Sequence, residues 1–151
     1  MRLLTAIMAI VLSACAGTRS DSVTLRDEGM CGLSVVTVSP RRLTVVREPT
    51  CGDPAQTDVE PLRPSDWSEL LSALENTSFW SLPPTLEQIP DSQGRIKVVT
   101  DDVTRCVLAR LGQTEKEVCA TTSNLTFAPG GRQLSSVIQT IERFAPEAPP
   151  N

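Results

Sequence analysis

Five cysteines and no histidine frame the chemistry open to this chain of 151 residues. A cysteine serves as nucleophile, metal ligand or disulfide partner, and its spacing and neighbours decide which. The five stand at positions 15, 31, 51, 106 and 119. None forms the C-x-x-C pairs of four-cysteine zinc sites, and there is no imidazole to complete a mixed site. A serine nucleophile would lack its usual base. The lysines are Lys97 and Lys116, both inside β-type runs, where they read as solvated strand residues rather than members of a Ser–Lys dyad. Asp101 and Asp102 are adjacent, so at a strand end they point apart and read as a turn, not as a pair of catalytic carboxylates. Pro129-Gly130-Gly131-Arg132 lacks the spacing of a phosphate loop and reads as a helix entry. The expectation is a protein that is not an enzyme and carries no cofactor or metal.

The chain opens Met1-Arg2 and continues with ten residues, Leu3 to Leu12, of which Thr5 is the one polar member. As a helix that run rises about 15 Å, half of what a hydrocarbon core requires, so it fits a secretory signal and not a membrane span. It ends Leu12-Ser13-Ala14-Cys15. This resembles the lipobox of bacterial lipoproteins: an aliphatic residue, two small residues, then cysteine. The resemblance implies lipidation of Cys15 and cleavage after Ala14. Ala16 in place of Asp then implies sorting to the outer membrane, on its periplasmic face, in a Gram-negative envelope. Loss of residues 1–14 removes one of 14 basic and none of 18 acidic side chains, which takes the net charge from −4 to −5. An acidic domain does not adsorb to an anionic membrane, so the lipid would have to hold it there. The same charge argues against nucleic acid as a partner.

Four domain-level segments follow from the pattern. Residues 1–14 are the signal peptide, 15–30 a lipidated flexible tether, 31–145 a single folded domain and 146–151 a frayed tail. Within the domain, 33–38 and 43–47 are rich in β-branched residues and flank Ser39-Pro40-Arg41-Arg42, as a hairpin would. Ser65 and Asp66 offer N-caps for a helix whose apolar face is Trp67, Leu70, Leu71 and Leu74. Asp91-Ser92-Gln93-Gly94 is a turn, and 95–100, 103–111 and 116–122 read as strands. Leu134, Val137, Ile138, Ile141 and Phe144 form one face of a second helix that stops at Pro146. The fold expected is α+β: a small antiparallel sheet made of a β-hairpin and a β-meander, two amphipathic helices on one face, and two disulfides.

The disulfides follow from turn geometry. Gly112-Gln113 suits a two-residue hairpin turn. Counting outward, Arg110 meets Glu115, Val107 meets Val118, and Cys106 meets Cys119 on an open pair, where side chains approach most closely. Cys31 and Cys51 lie equally far from Arg41 at the open end of the first hairpin, where a bridge would restrain about 21 residues and add about 3 kcal/mol.

What remains is binding. Trp67, Phe79 and Trp80 hold most of the aromatic mass of a chain that is only 3% aromatic, and Arg41 and Arg42 place two charges at a hairpin tip. These five are the partner-binding candidates, and the partner expected is an envelope protein, not a small-molecule substrate. In size, stapling and acidity the domain is similar to periplasmic lysozyme-inhibitor and immunity lipoproteins, without a shared motif. A pilotin-like or envelope-complex assembly lipoprotein is the alternative. The anchor is directly testable: Cys15→Ala should accumulate as a precursor retaining residues 1–14 and take up no labelled fatty acid. An unlabelled wild type would overturn the assignment.

Overall fold

The computed structural model describes residues 20–30, 32–49 and 54–145. Six strands form one antiparallel sheet: β1 (Ser22–Gly29), β2 (Gly32–Ser39), β3 (Arg42–Pro49), β4 (Gln56–Pro61), β5 (Thr104–Leu111) and β6 (Thr114–Thr121). Their spatial order is β4-β3-β2-β1-β5-β6. Three helices complete the domain, α1 (Pro64–Asn76), α2 (Thr122–Phe127) and α3 (Gly131–Phe144), with a single 3-10 turn at Phe79–Ser81. The class is α+β, with the helices packed against the sheet.

Period-2 alternation gives the sheet two unlike faces. Val23 and Leu25 of β1 lie beside Val38 and Val36 of β2 on one side and Ala109 and Val107 of β5 on the other. Leu43, Val45, Val118 and Ala120 extend the same buried layer. Against it pack Leu70 and Leu74 of α1 and Leu134, Val137, Ile138 and Ile141 of α3, all fully or almost fully buried. These are the helix faces expected from sequence, with Trp67, Leu71 and Phe144 partly buried at the margin. The opposite sheet face carries Thr24, Thr37, Thr44, Val35, Val46 and Leu108, all half-buried, together with the Cys106–Cys119 bridge.

Three expectations need correction. Residues 22–29 are not part of a tether: they are β1, which sits in the interior of the sheet between β2 and β5. The run SVTLRDEG conceals this because it has just two apolar core residues and three consecutive charges. Two of the charges have partners: Asp27 accepts both arms of the Arg105 guanidinium at 2.8 and 2.7 Å, and Arg26 lies 4.0 Å from Glu117. Residues 95–100 are not a strand, because the side chains of Gln88 and Ser123, not a neighbouring strand, bond their backbone. The helix expected to be capped at Ser65 or Asp66 begins instead at Pro64, with Arg63 as its N-cap and no side-chain cap. Proline suits the first helical position because its missing N–H would have no partner there. Asp66 takes the two-pronged hydrogen bond of Arg63, 2.8 Å on each arm, which holds its carboxyl below the ordinary range.

The hairpin registers agree with expectation. Arg110 faces Glu115, Val107 faces Val118 and Cys106 faces Cys119. The N–H of Cys119 donates to Pro84 and its C=O accepts from Leu86, so both groups point away from β5. That makes Cys106–Cys119 an open pair, and their Cα atoms lie 4.1 Å apart in the bridged state. Cys31 and Cys51 lie outside the described residues, as do Cys15, the signal segment and the last six residues.

Pro129-Gly130-Gly131 is a helix entry, as its composition indicated. Gly130 adopts φ +82° as the N-cap of α3. A β-carbon on Gly131 would lie 2.3 Å from the carbonyl oxygen of Leu125, so α2 and α3 can meet here only through glycine. Gly131→Ala should therefore cost about 3 kcal/mol of stability. Gly130→Ala should cost about 1–2 kcal/mol, because it meets left-handed strain and a flexible Leu82 side chain. Urea unfolding of the two variants checks the order, and equal losses would contradict it.

Candidate protein-interaction surface

The residues singled out from sequence fall into different environments. Phe79 is fully buried, a core side chain that cannot meet a partner. Trp80 is half-buried and meets Phe79 edge-on, with ring centroids 5.6 Å apart. Its carbonyl accepts a 2.8 Å hydrogen bond from Nζ of Lys116. Trp67 is half-buried against the core. Arg41 and Arg42 are exposed at the turn between β2 and β3, where their carbonyls accept from the Leu62 N–H and the Ser39 hydroxyl. The structure thus joins Phe79 to Trp80 and Cys106 to Cys119, while the aromatic segment serves mainly as packing.

A different surface stands out, and it is built from the segment between the 3-10 turn and β5. Backbone pairing of Pro84 and Leu86 with Cys119 lays this segment along the outer edge of β6, with a parallel bridge at Thr85. Leu86 is buried, and its carbonyl accepts from the Asn124 side-chain amide at 2.8 Å. Beyond it the chain turns at Asp91–Arg95. The Asp91 N–H donates to the Arg95 carbonyl, and the Asp91 carboxylate accepts from the N–H groups of Gln93 and Arg95. Gly94 closes the turn at φ +74°.

Beyond Arg95 the returning arm, 96–100, has no backbone hydrogen-bond partner among the described residues. Gln88 takes that place with its side chain: its amide nitrogen donates to the Lys97 carbonyl at 2.7 Å, and its amide oxygen accepts from the Lys97 N–H at 2.9 Å. Ser123 Oγ accepts from the Val99 N–H at 2.9 Å. The β-branched composition of RIKVVT is suited to a strand, but β propensity cannot say whether a neighbouring strand is present. Here the β6 edge is already taken at Cys119 by the Pro84–Leu86 stretch.

This arrangement leaves large apolar side chains in water. Ile89, Ile96, Val98 and Phe127 are 78%, 57%, 70% and 41% exposed, four of the six such residues among those described. Ile89, Ile96 and Phe127 line a shallow cleft of about 420 Å³. Lys97 Nζ sits 5.2 Å from the centroid of the Phe127 ring, within cation–π range. Arg95 and Arg132 border the same loop surface, with Arg95 paired to Asp91 at 2.9 Å. Two of these residues, Ile96 and Val98, fall in the run 95–100 that reads as a strand, which hides their exposure from the sequence. Their surplus of β-branched residues with no facing partner run was the available signal.

Two carboxylates fasten the loop. Asp91 is held below the ordinary carboxylate range first by the backbone N–H groups of Arg95 and Gln93, then by the Arg95 side chain. Asp102 is lowered chiefly by the Ser123 N–H, which it accepts at 2.8 Å at the start of α2. A depressed folded-state pKa adds stability that is complete above the unfolded value of about 4 and is lost as pH falls through the folded value. The chain has no histidine to titrate between about pH 5 and 8. Thermal stability should therefore be flat across that interval and fall in acid. Asp102→Asn should make the acid decline shallower, as followed by circular dichroism. A slope between pH 6 and 7 would contradict this account.

No family model matches the chain, and no curated protein matches it at a significant level.

Proposed function

We propose that the mature chain is a lipid-anchored, periplasm-facing protein that works by binding an envelope protein, without chemistry of its own. The observation that carries the binding reading is the exposed apolar surface of Ile89, Ile96, Val98 and Phe127. Burial of such side chains against a partner is worth about 25 cal/mol per Å² of apolar area, and three of them, Ile89, Ile96 and Phe127, line one cleft, a grouping characteristic of interaction sites. The lipobox resemblance at Leu12-Ser13-Ala14-Cys15 supplies the location.

Two forms of the proposal make different demands on charge. An inhibitor or immunity protein against an envelope-targeting hydrolase or toxin would use the net charge near −5 to draw in a basic partner. A pilotin-like or assembly lipoprotein would hold an apolar segment of its partner. The cleft beside Phe127, with Lys97 and Arg95 at its border, favours the second form.

A photo-reactive phenylalanine analogue at position 127 tests the reading in intact cells. It should give a discrete adduct with one envelope protein, absent when the analogue replaces exposed Val59 on β4. Ile89→Asp with Phe127→Asp should weaken binding of that protein at least about tenfold while leaving the melting temperature unchanged. Equal labelling from both positions would overturn the reading. A partner lost at high salt but indifferent to the double variant would restore the inhibitor form on another surface.

A further inference from the structure

The backbone of 95–99 is satisfied on one side alone. Arg95 exchanges hydrogen bonds with Asp91, Lys97 with the Gln88 side chain, and Val99 donates to Ser123. The intervening residues, Ile96 and Val98, have no hydrogen-bond partner for their N–H or C=O groups among the described residues. Alternation of paired and unpaired residues is the pattern of an edge strand, one side engaged and the other open. Ile96 and Val98 are also mostly exposed, so backbone and apolar side chains are presented together. The 95–99 arm is held in place without being part of the sheet.

We infer that 95–99 is a docking edge for β-strand addition, and that its occupant is an extended, acidic segment of a partner protein. This rests on the protein-binding reading above and names the mode and chemistry of the contact. Four outward groups, the N–H and C=O of Ile96 and of Val98, supply the ladder bonds. Charge selects the occupant. Lys97 sits along the edge, while Arg95 beside it is already paired with Asp91 at 2.9 Å; an opposite charge directly across a strand pair is stabilising while a like charge is destabilising. A second copy of this chain is disfavoured on that ground: the symmetric antiparallel register that pairs Ile96 with Val98 sets Lys97 against Lys97. Glutamate or aspartate alternating with β-branched residues meets both demands, acid beside Lys97 and apolar bulk against Ile96 and Val98.

The test uses the mature chain, isotope-labelled, and capped hexapeptides alternating valine or threonine with glutamate. The Val98→Pro variant is the control. It deletes an N–H that nothing in the fold uses, so its melting temperature should match wild type, whereas strand addition needs that donor. The glutamate peptides should bind saturably and slow amide exchange at Ile96 and Val98 at least tenfold. Lysine counterparts should bind at least tenfold more weakly, and Val98→Pro should abolish binding. No slowing at Ile96 and Val98 by any peptide overturns the inference, as does equal binding by the lysine series or by Val98→Pro. A dimer in sedimentation equilibrium that Val98→Pro dissociates replaces the acidic partner with a second copy. Capture by anionic vesicles through Ile89 and Phe127, with Ile96 and Val98 still exchanging freely, replaces it with a membrane. The two readings fail separately. An envelope adduct from position 127 that persists in Val98→Pro leaves protein binding intact and removes strand addition. Peptide binding without any envelope adduct leaves strand addition as a property of the edge and removes the envelope partner.

Discussion

Two parts of the chain far apart in sequence meet at one ladder, that between β1 and β5. On one side of it stand β2, β3 and β4; on the other stands β6 alone. Without it the sheet is two pieces, and the apolar layer that faces α1 and α3 is divided between them. The closure is long: Arg105 reaches Asp27 across 78 positions. A loop of that length costs entropy, though slowly with its size, and the cost must be met before the contacts repay it. Arg105 does more than join two strands, since it also pairs with Glu142 of α3. Burial works against its charge, yet the hydrogen bonds to Asp27 and Glu142 outweigh that and raise its pKa. One guanidinium therefore ties β1, β5 and the helix layer together at a mostly buried point.

Local pattern carried much of this fold. The β2–β3 hairpin, the β5–β6 hairpin with its cysteine register and the faces of α1 and α3 all follow from spacing within some twenty residues. What escaped was decided at long range. β1 has a charged sequence that becomes a sheet interior only when Arg105 arrives to neutralise Asp27. β4, with alternation weakened by Thr57 and Asp58, pairs because Arg47 meets Asp58 at 3.0 Å and β3 offers it an edge. α2 is a six-residue helix whose start depends on Thr121 and on Asp102 from a separate loop. The site was legible in composition and illegible in geometry. RIKVVT has strand character, and nothing within it says that a glutamine side chain will take the place of a neighbouring strand.

The aromatic segment shows the same division. Phe79, Trp80 and Trp67 stand out in a chain so poor in aromatics, and that prominence makes them candidates for a partner surface without saying whether they are exposed. Packing uses Phe79 to fill the space between the helix layer and the sheet, with Trp80 braced at its edge. The surface apolar residues are instead aliphatic, apart from Phe127, and lie in a stretch where backbone bonding takes precedence over side-chain packing.

Gln88 and Ser123 support the 95–99 arm by side chains, not by the hydrogen-bonded ladder of the sheet. The fold therefore leaves the outward backbone groups of Ile96 and Val98 out of its own bonding. Ile96, Lys97 and Val98 can change identity with little effect on the core, because none of them belongs to it. Substitutions in that short stretch should cost the fold less than substitutions in the layer formed by β1, β5, α1 and α3, so divergence between copies of this domain is expected to concentrate there.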